Sequence, residues 1–120
     1  MPRVTIVFFK DDDGSVPMRD WLDGIQKKAA AKCLARLKRL EDLGHELRRP
    51  EADYLRDEIY ELRVGLQGSN YRMLYFFRGR TAAVVSHGLV KERAVPPGEI
   101  DLAVQRKKKF EQAPKAHSEQ

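Results

Sequence analysis

The sequence predicts an α+β fold: an N-terminal strand, an αα-hairpin, an antiparallel three-strand meander and a C-terminal helix. Three observations carry this. Apolar residues between positions 18 and 40 recur at helical spacing. Between positions 58 and 90 they alternate instead, with turn residues at 67–70 and 79–80. A Pro-Pro pair at 96–97 then opens a second helical period. The 120 residues are 42% hydrophobic and 34% charged, which suits one domain around one modest core.

The first element is the β-branched and aromatic run Arg3 to Phe9. Asp11-Asp12-Asp13-Gly14-Ser15 follows as a solvated turn; a calcium loop needs ligands at fixed alternating positions and a distal Glu. Ser15 is the expected helix N-cap, with Pro17 in the first turn. Met18, Trp21, Leu22 and Ile25 give that helix its apolar face, and Gly24 marks its end. A second helix is expected over Gln26 to Leu43, with Ala30, Cys33, Leu34, Leu37 and Leu40 as its stripe and Gly44 just beyond it. The pair must bury its stripes on a sheet.

Residues 45–57 are polar, contain Pro50 and read as a loop. Glu58 to Leu66 puts Tyr60, Leu62, Val64 and Leu66 on one face and Ile59, Glu61 and Arg63 on the other. Tyr71 to Arg78 separates Tyr71, Met73, Tyr75 and Phe77 from Arg72, Leu74, Phe76 and Arg78. Thr81 to Val90 completes the meander after a tight Gly79-Arg80 connection. The last helix runs from Pro97 to about Phe110 through Ile100, Ala103, Val104 and Lys107. Its basic end, Arg106-Lys107-Lys108-Lys109, suits the helix dipole. The expected domain is 1–111, and 112–120 is expected to be a disordered polar tail.

Net charge is +5, from 23 Lys+Arg and 18 Asp+Glu. The first 60 residues balance at 12 basic and 12 acidic, whereas the last 60 hold 11 basic and 6 acidic. A basic half-molecule attracts polyanions, of which nucleic acid is the commonest in a cytoplasm. The one cysteine excludes a disulfide within the chain and a Cys-rich zinc site. No run approaches the roughly 20 apolar residues of a membrane span, and the first residues lack signal-peptide character. A cytoplasmic protein without a membrane partner is the expectation.

Arg63 and Arg72 lie on adjacent strands about 4.8 Å apart, each opposite its strand's Tyr and Met positions. Two such guanidiniums can fork onto one phosphate; alternatively each pairs with Glu61 or covers the sheet with its stem. His87 shares a face with Leu89 and Lys91 and is the side chain best suited to proton transfer near neutrality. Lys91 and Arg93 add cations at the mouth of the same cleft. The scattered histidines offer no metal site, His45 and His117 receive no role, and no cofactor motif is present. Arginines, a lysine and a histidine on a sheet point to metal-independent RNA cleavage. There the substrate's 2′-hydroxyl is the nucleophile, and the protein moves protons and stabilises charge.

The stretches Glu58-Ile59-Tyr60-Glu61-Leu62-Arg63 and Asn70-Tyr71-Arg72-Met73-Leu74-Tyr75 carry a family likeness. So do Ser86-His87-Gly88-Leu89-Val90-Lys91 and Pro97-Gly98-Glu99-Ile100 leading to Ala103. With the element order, they resemble the RelE/HigB/ParE toxin superfamily of toxin–antitoxin pairs, its phage-derived HigB-like branch above all. The resemblance covers about residues 1–111 and implies a RelE-like fold. It also implies a ribosome-dependent mRNA endoribonuclease and a small antitoxin, often of helix-turn-helix type. By position, Arg63 and Arg72 match the family's arginines on the meander, and Lys91 and Arg93 its basic segment after the last strand. The catalytic candidates are therefore Arg63, Arg72, Lys91, His87 and Glu61, with Arg93, Arg78, Arg106, Lys107 and Lys108 as RNA contacts. Relatives with a functional Tyr or His near the C-terminus find only Phe110 and His117 here, so Glu61, His87 and Lys91 all stand as general-base candidates. Two other readings use the same scaffold: a ParE-like toxin that binds gyrase without cutting, and a non-catalytic phage-related RNA-binding module.

Overall fold

The computed structural model describes residues 3–91 and 93–119. Met1, Pro2 and Glu92 of the expected domain, and Gln120 of the expected tail, lie outside the described residues. The elements are β1 (Thr5–Phe8), α1 (Pro17–Gly24), α2 (Lys27–Leu43), β2 (Ala52–Arg56), β3 (Ile59–Leu66), β4 (Ser69–Arg78), β5 (Ala82–Val90) and α3 (Pro97–Gln112). Among the described residues the strands form one sheet in the order β1-β5-β4-β3-β2. All neighbours are antiparallel except β1, which runs parallel to β5 at the far edge. The fold is α+β, as expected.

Period-2 alternation gives the sheet two apolar faces. One carries Leu62, Val64, Tyr71, Met73, Tyr75 and Val85 and is covered by α1 and α2 through Met18, Ala29, Cys33, Leu37 and Leu40. The other carries Ile59, Leu74, Phe76, Val84 and Leu89 and is covered by α3 through Ile100, Ala103 and Phe110. Cys33 is fully buried, and burial pushes its thiol up to about 11, consistent with a core residue.

Four local expectations are corrected. The stripe of α2 uses Ala29 rather than Ala30, and Leu34 is 52% exposed, because the line 29–33–37–40 follows the helical period along one face and Leu34 falls off it. Val16, not Ser15, is the N-cap of α1, with no side-chain cap. The 45–57 loop contains a short 3-10 turn (Gly44–Glu46) and the edge strand β2. Finally, the segment expected to be a disordered tail folds back along the end of β1. Lys10 N–H donates to the His117 carbonyl at 2.9 Å, and Glu119 N–H donates to that of Phe8 at 3.0 Å. The His117 ring stacks on Phe9 at 5.2 Å, and Glu119 forms a two-point ion pair with Arg19.

Gly88 in β5 faces α1. A Cβ there would sit 2.2 Å from the Trp21 ring, which itself meets Tyr71 edge-on at 6.2 Å. Glycine therefore sets how closely α1 approaches the sheet. Gly88→Ala is expected to lower stability by about 1–3 kcal/mol through overpacking, read as a fall in the urea midpoint. Trp21→Leu in the same background should recover part of that loss, and an unchanged midpoint in Gly88→Ala would refute the packing account.

Candidate functional site

The turn between β3 and β4 is Gln67-Gly68, with φ of +52° and +83°. Positive φ at both positions suits a two-residue hairpin whose twist matches its strands. The turn fixes a register in which Arg63 pairs directly with Arg72, Glu61 with Leu74, and, on the next strand, Asp53 with Glu61. These polar residues share the α3 face, but α3 covers only its apolar part. Beyond the helix lies an open cleft of about 660 Å³ lined by Arg56, Arg63, Arg72 and Arg93 around Glu61 and Asp53.

Glu61 is the centre of the cluster and is only 2% exposed. Its Oε2 accepts from Arg63 Nε at 3.1 Å and Nη2 at 2.9 Å, and its Oε1 accepts from Arg72 Nη1 at 2.5 Å. Arg63 Nη2 also donates to Asp53 Oδ2 at 3.1 Å. Arg36 reaches from α2 to donate to the Arg63 carbonyl. The two arginines converge on Glu61, which is the pairing the sequence offered as the alternative to a phosphate fork. Arg72 is more deeply set than Arg63, with side chains 12% and 38% exposed. Among the described residues, Arg72 Nε is buried without a hydrogen-bond partner.

Arg93 is exposed on the cleft rim. Lys91 is exposed at the end of β5, where its N–H donates to the Asn70 carbonyl at 3.0 Å. His87 shares the face of Leu89, as expected, but it is buried beneath α3 instead of opening to the cleft. A bulge in β5 at Ser86 breaks the register between Leu74 and Tyr75 and lets Val84 and His87 face the same side. His87 Nε2 lies 2.8 Å from Glu99 Oε1, and Nδ1 lies 2.7 Å from Ser86 Oγ. The carboxylate only accepts, so Nε2 carries the proton and the serine hydroxyl donates to Nδ1. Burial lowers the His87 pKa, with the Glu99 hydrogen bond opposing and the nearby Arg106 charge adding to the shift. The contact is a hydrogen bond from a neutral ring rather than an ion pair.

The basic residues of α3 divide. Arg106 turns inward toward the Ser86 carbonyl and hydroxyl, both at 3.4 Å, and stands over the Phe9 ring. Lys107 pairs with Glu58 and Glu111, each at 3.0 Å. Lys108 is exposed, and Arg78 is exposed over the Phe110 ring. The acidic turn pairs with this helix: Lys109 lies 3.4 Å from Asp11 and 2.8 Å from Asp12. Among the described residues no group of three or more His, Cys, Asp or Glu side chains is placed to hold a metal ion.

Sequence reasoning missed the β2 contribution, namely Asp53 and Arg56. The signal was the alternation Ala52-Asp53-Tyr54-Leu55, obscured by Pro50 and flanking charges. Arg56 closes one wall by pairing with Asp101 of α3 at 2.7 Å.

Fold and site together define a small α+β protein with an arginine-lined cleft on the uncovered part of one sheet face. Residues 20–108 match the profile of the family described as Phage derived protein Gp49-like (DUF891), and the chain belongs to that family. No curated protein matches it. No helix among the described residues is long and apolar enough to cross a membrane.

The buried His87 predicts a pH dependence. The unfolded chain takes up a proton near the ordinary value of 6.5, while the folded chain resists it to lower pH. Between those values the unfolded state holds more protons, so stability rises with pH. The contribution is complete above about pH 6.5 and is lost as pH falls toward the folded value. Urea midpoints at pH 7.5 and pH 5.5 should differ more for the native sequence than for His87→Gln; equal differences would remove His87 as the cause.

Proposed function

We propose that this protein is the toxin of a type II toxin–antitoxin pair and cleaves messenger RNA on the ribosome by 2′-hydroxyl attack. The family is related to toxins of the RelE and HigB type, and the mixed five-stranded α+β architecture is consistent with a toxin of that kind. The observation that carries the reading is the Arg63–Glu61–Arg72 cluster in an open cleft with Arg93 on its rim.

In this reading the scissile phosphate competes with Glu61 for the guanidinium forks. As the arginines turn to the phosphate, the Glu61 carboxylate is freed to accept the 2′-hydroxyl proton. The 2′-oxygen forms its bond to phosphorus, the bond to the 5′-oxygen breaks, and that oxygen leaves with a proton from Lys91. The products are a 2′,3′-cyclic phosphate and a 5′-hydroxyl. Arg63, Arg72 and Arg93 stabilise the extra negative charge of the pentacovalent state. Lys108 and Arg78 remain available for more distant RNA phosphates, whereas Arg106 and Lys107 are engaged within the fold. The partners are the ribosome, the message and a small antitoxin, in the cytoplasm.

A second reading is a toxin that binds its target without cutting, as ParE-like toxins bind gyrase. The observation favouring it is that His87 is withdrawn and Glu61 is already doubly paired, so that neither of these bases is uncommitted at the cleft.

The variants must respect stability. Arg72→Ala leaves the buried Glu61 with Arg63 as its remaining arginine and is expected to cost about 2 kcal/mol. Arg63→Lys and Arg72→Lys, which keep a positive charge beside Glu61 and lose the guanidinium fork, are therefore the cleaner pair. Expression of the native sequence should arrest growth, with discrete cuts in cellular mRNA by primer extension. Each variant should fold normally by circular dichroism and lose cleavage by on the order of 10²–10³-fold. Undiminished cutting by both variants would reject the mechanism. Growth arrest with intact message and DNA damage would select the second reading.

A further inference from the structure

The proposed cleavage chemistry leaves a second cleft unused. It has a volume of about 560 Å³ and lies beside β2 on the α1/α2 side of the sheet, bordered by Arg48, Arg49, Tyr54 and Tyr60. It shares Asp53 and Tyr54 with the arginine cleft, so the edge strand β2 is the ridge where the two meet. Asp53 links them electrostatically: its Oδ2 lies 2.9 Å from Arg49 Nη2 and 3.1 Å from Arg63 Nη2.

Tyr54 is 51% exposed, and its ring is nevertheless held at several points. Its hydroxyl accepts from Glu58 N–H at 3.0 Å. It meets Tyr60 in a T-shaped contact at 5.1 Å. Tyr60 in turn stacks on Tyr75 at 5.4 Å and abuts Phe77 at 5.2 Å. An open aromatic ring is thus fixed against a rigid aromatic column, with two guanidiniums beside it. Arg49 has its side chain 75% exposed. This combination suits a ligand with a flat π-system joined to an anion, which is a nucleotide. An aliphatic peptide side chain would use neither the flat ring nor the cations.

We propose that this cleft is a nucleobase subsite. The base of a nucleotide neighbouring the scissile phosphate stacks on Tyr54, and its phosphate lies against Arg49 and Arg48, while the same RNA strand crosses β2 into the arginine cleft. The inference rests on the RNA reading above and goes beyond it by assigning a residue and a role. Every base offers a π-face, so the subsite supplies grip and register on the strand with little base selectivity.

The test uses a short single-stranded RNA with 2′-O-methyl groups, which binds without being cut. Its affinity is measured by fluorescence anisotropy for the native protein, Tyr54→Ala, Tyr54→Leu and Arg63→Ala, each checked for folding. The same oligonucleotide is made with one abasic position scanned along it. Tyr54→Ala is expected to weaken binding roughly tenfold, and Tyr54→Leu by a similar factor. One abasic position should weaken the native protein equally, yet cost Tyr54→Ala nothing more. Arg63→Ala should weaken binding whichever base is missing. If Arg63→Ala weakens binding while Tyr54→Ala does not, the subsite is refuted and the RNA reading stands. Full recovery by Tyr54→Leu, or simple additivity of the tyrosine and abasic losses, also refutes stacking. Absence of binding to this oligonucleotide by the native protein would overturn the subsite, while cleavage on the ribosome is decided separately by the primer extension above.

Discussion

A single buried carboxylate holds the arginine-lined face together. Arg63 and Arg72 are direct cross-strand partners, and like charges placed so close destabilise a sheet. Glu61, almost fully buried between them, cancels that repulsion and aims both guanidiniums the same way. The dependence is mutual, because an ionised carboxylate so deep in a sheet is tolerated only when paired and hydrogen-bonded. The network reaches outward through Asp53 to Arg49, and through the Arg63 carbonyl to Arg36 on α2. Removing one member therefore disturbs both the fold and the cleft.

The two faces of the sheet are finished differently. The α1/α2 side is closed by helices whose approach is set at Gly88 and Trp21. On the other side α3 covers the apolar residues and stops short of the arginines. At that boundary Ser86, His87, Glu99 and Arg106 form a polar chain that ties the helix to β5, with Arg106 Nε buried and without a hydrogen-bond partner. The histidine that chemistry would favour as a base is used as a structural joint, and of the general-base candidates read from the sequence it is Glu61 that lies among the arginines of the cleft.

Much of this was legible in the sequence. Strict alternation in β3 and β4 fixed which residues share a face, so Arg63 and Arg72 fell on one side of adjacent strands; their direct pairing comes from the tighter turn Gln67-Gly68, where the sequence suggests a turn over 67–70. The edge strand β2 was hidden because edge strands tolerate charge and need only one apolar side. The docking of residues 113–119 was hidden because it depends on a few long-range contacts, such as His117 on Phe9, that leave no periodic trace. Burial of His87 was invisible for a related reason: its partners, Glu99 and Arg106, lie on a helix whose position over the sheet is a tertiary fact.

The bulge at Ser86 has the widest reach of these hidden features. One surplus residue advances the strand by half a pleat, so the two halves of β5 answer to opposite parities. Before it, even-numbered positions look toward α3; after it, odd-numbered ones do. The family resemblance in this strand is thus tied to spacing as much as to residue identity. Closing the bulge without removing a residue would turn His87, Leu89 and Lys91 toward the helical hairpin even if every side chain were kept, whereas a relative one residue shorter at this point would pair regularly and keep them on the α3 side.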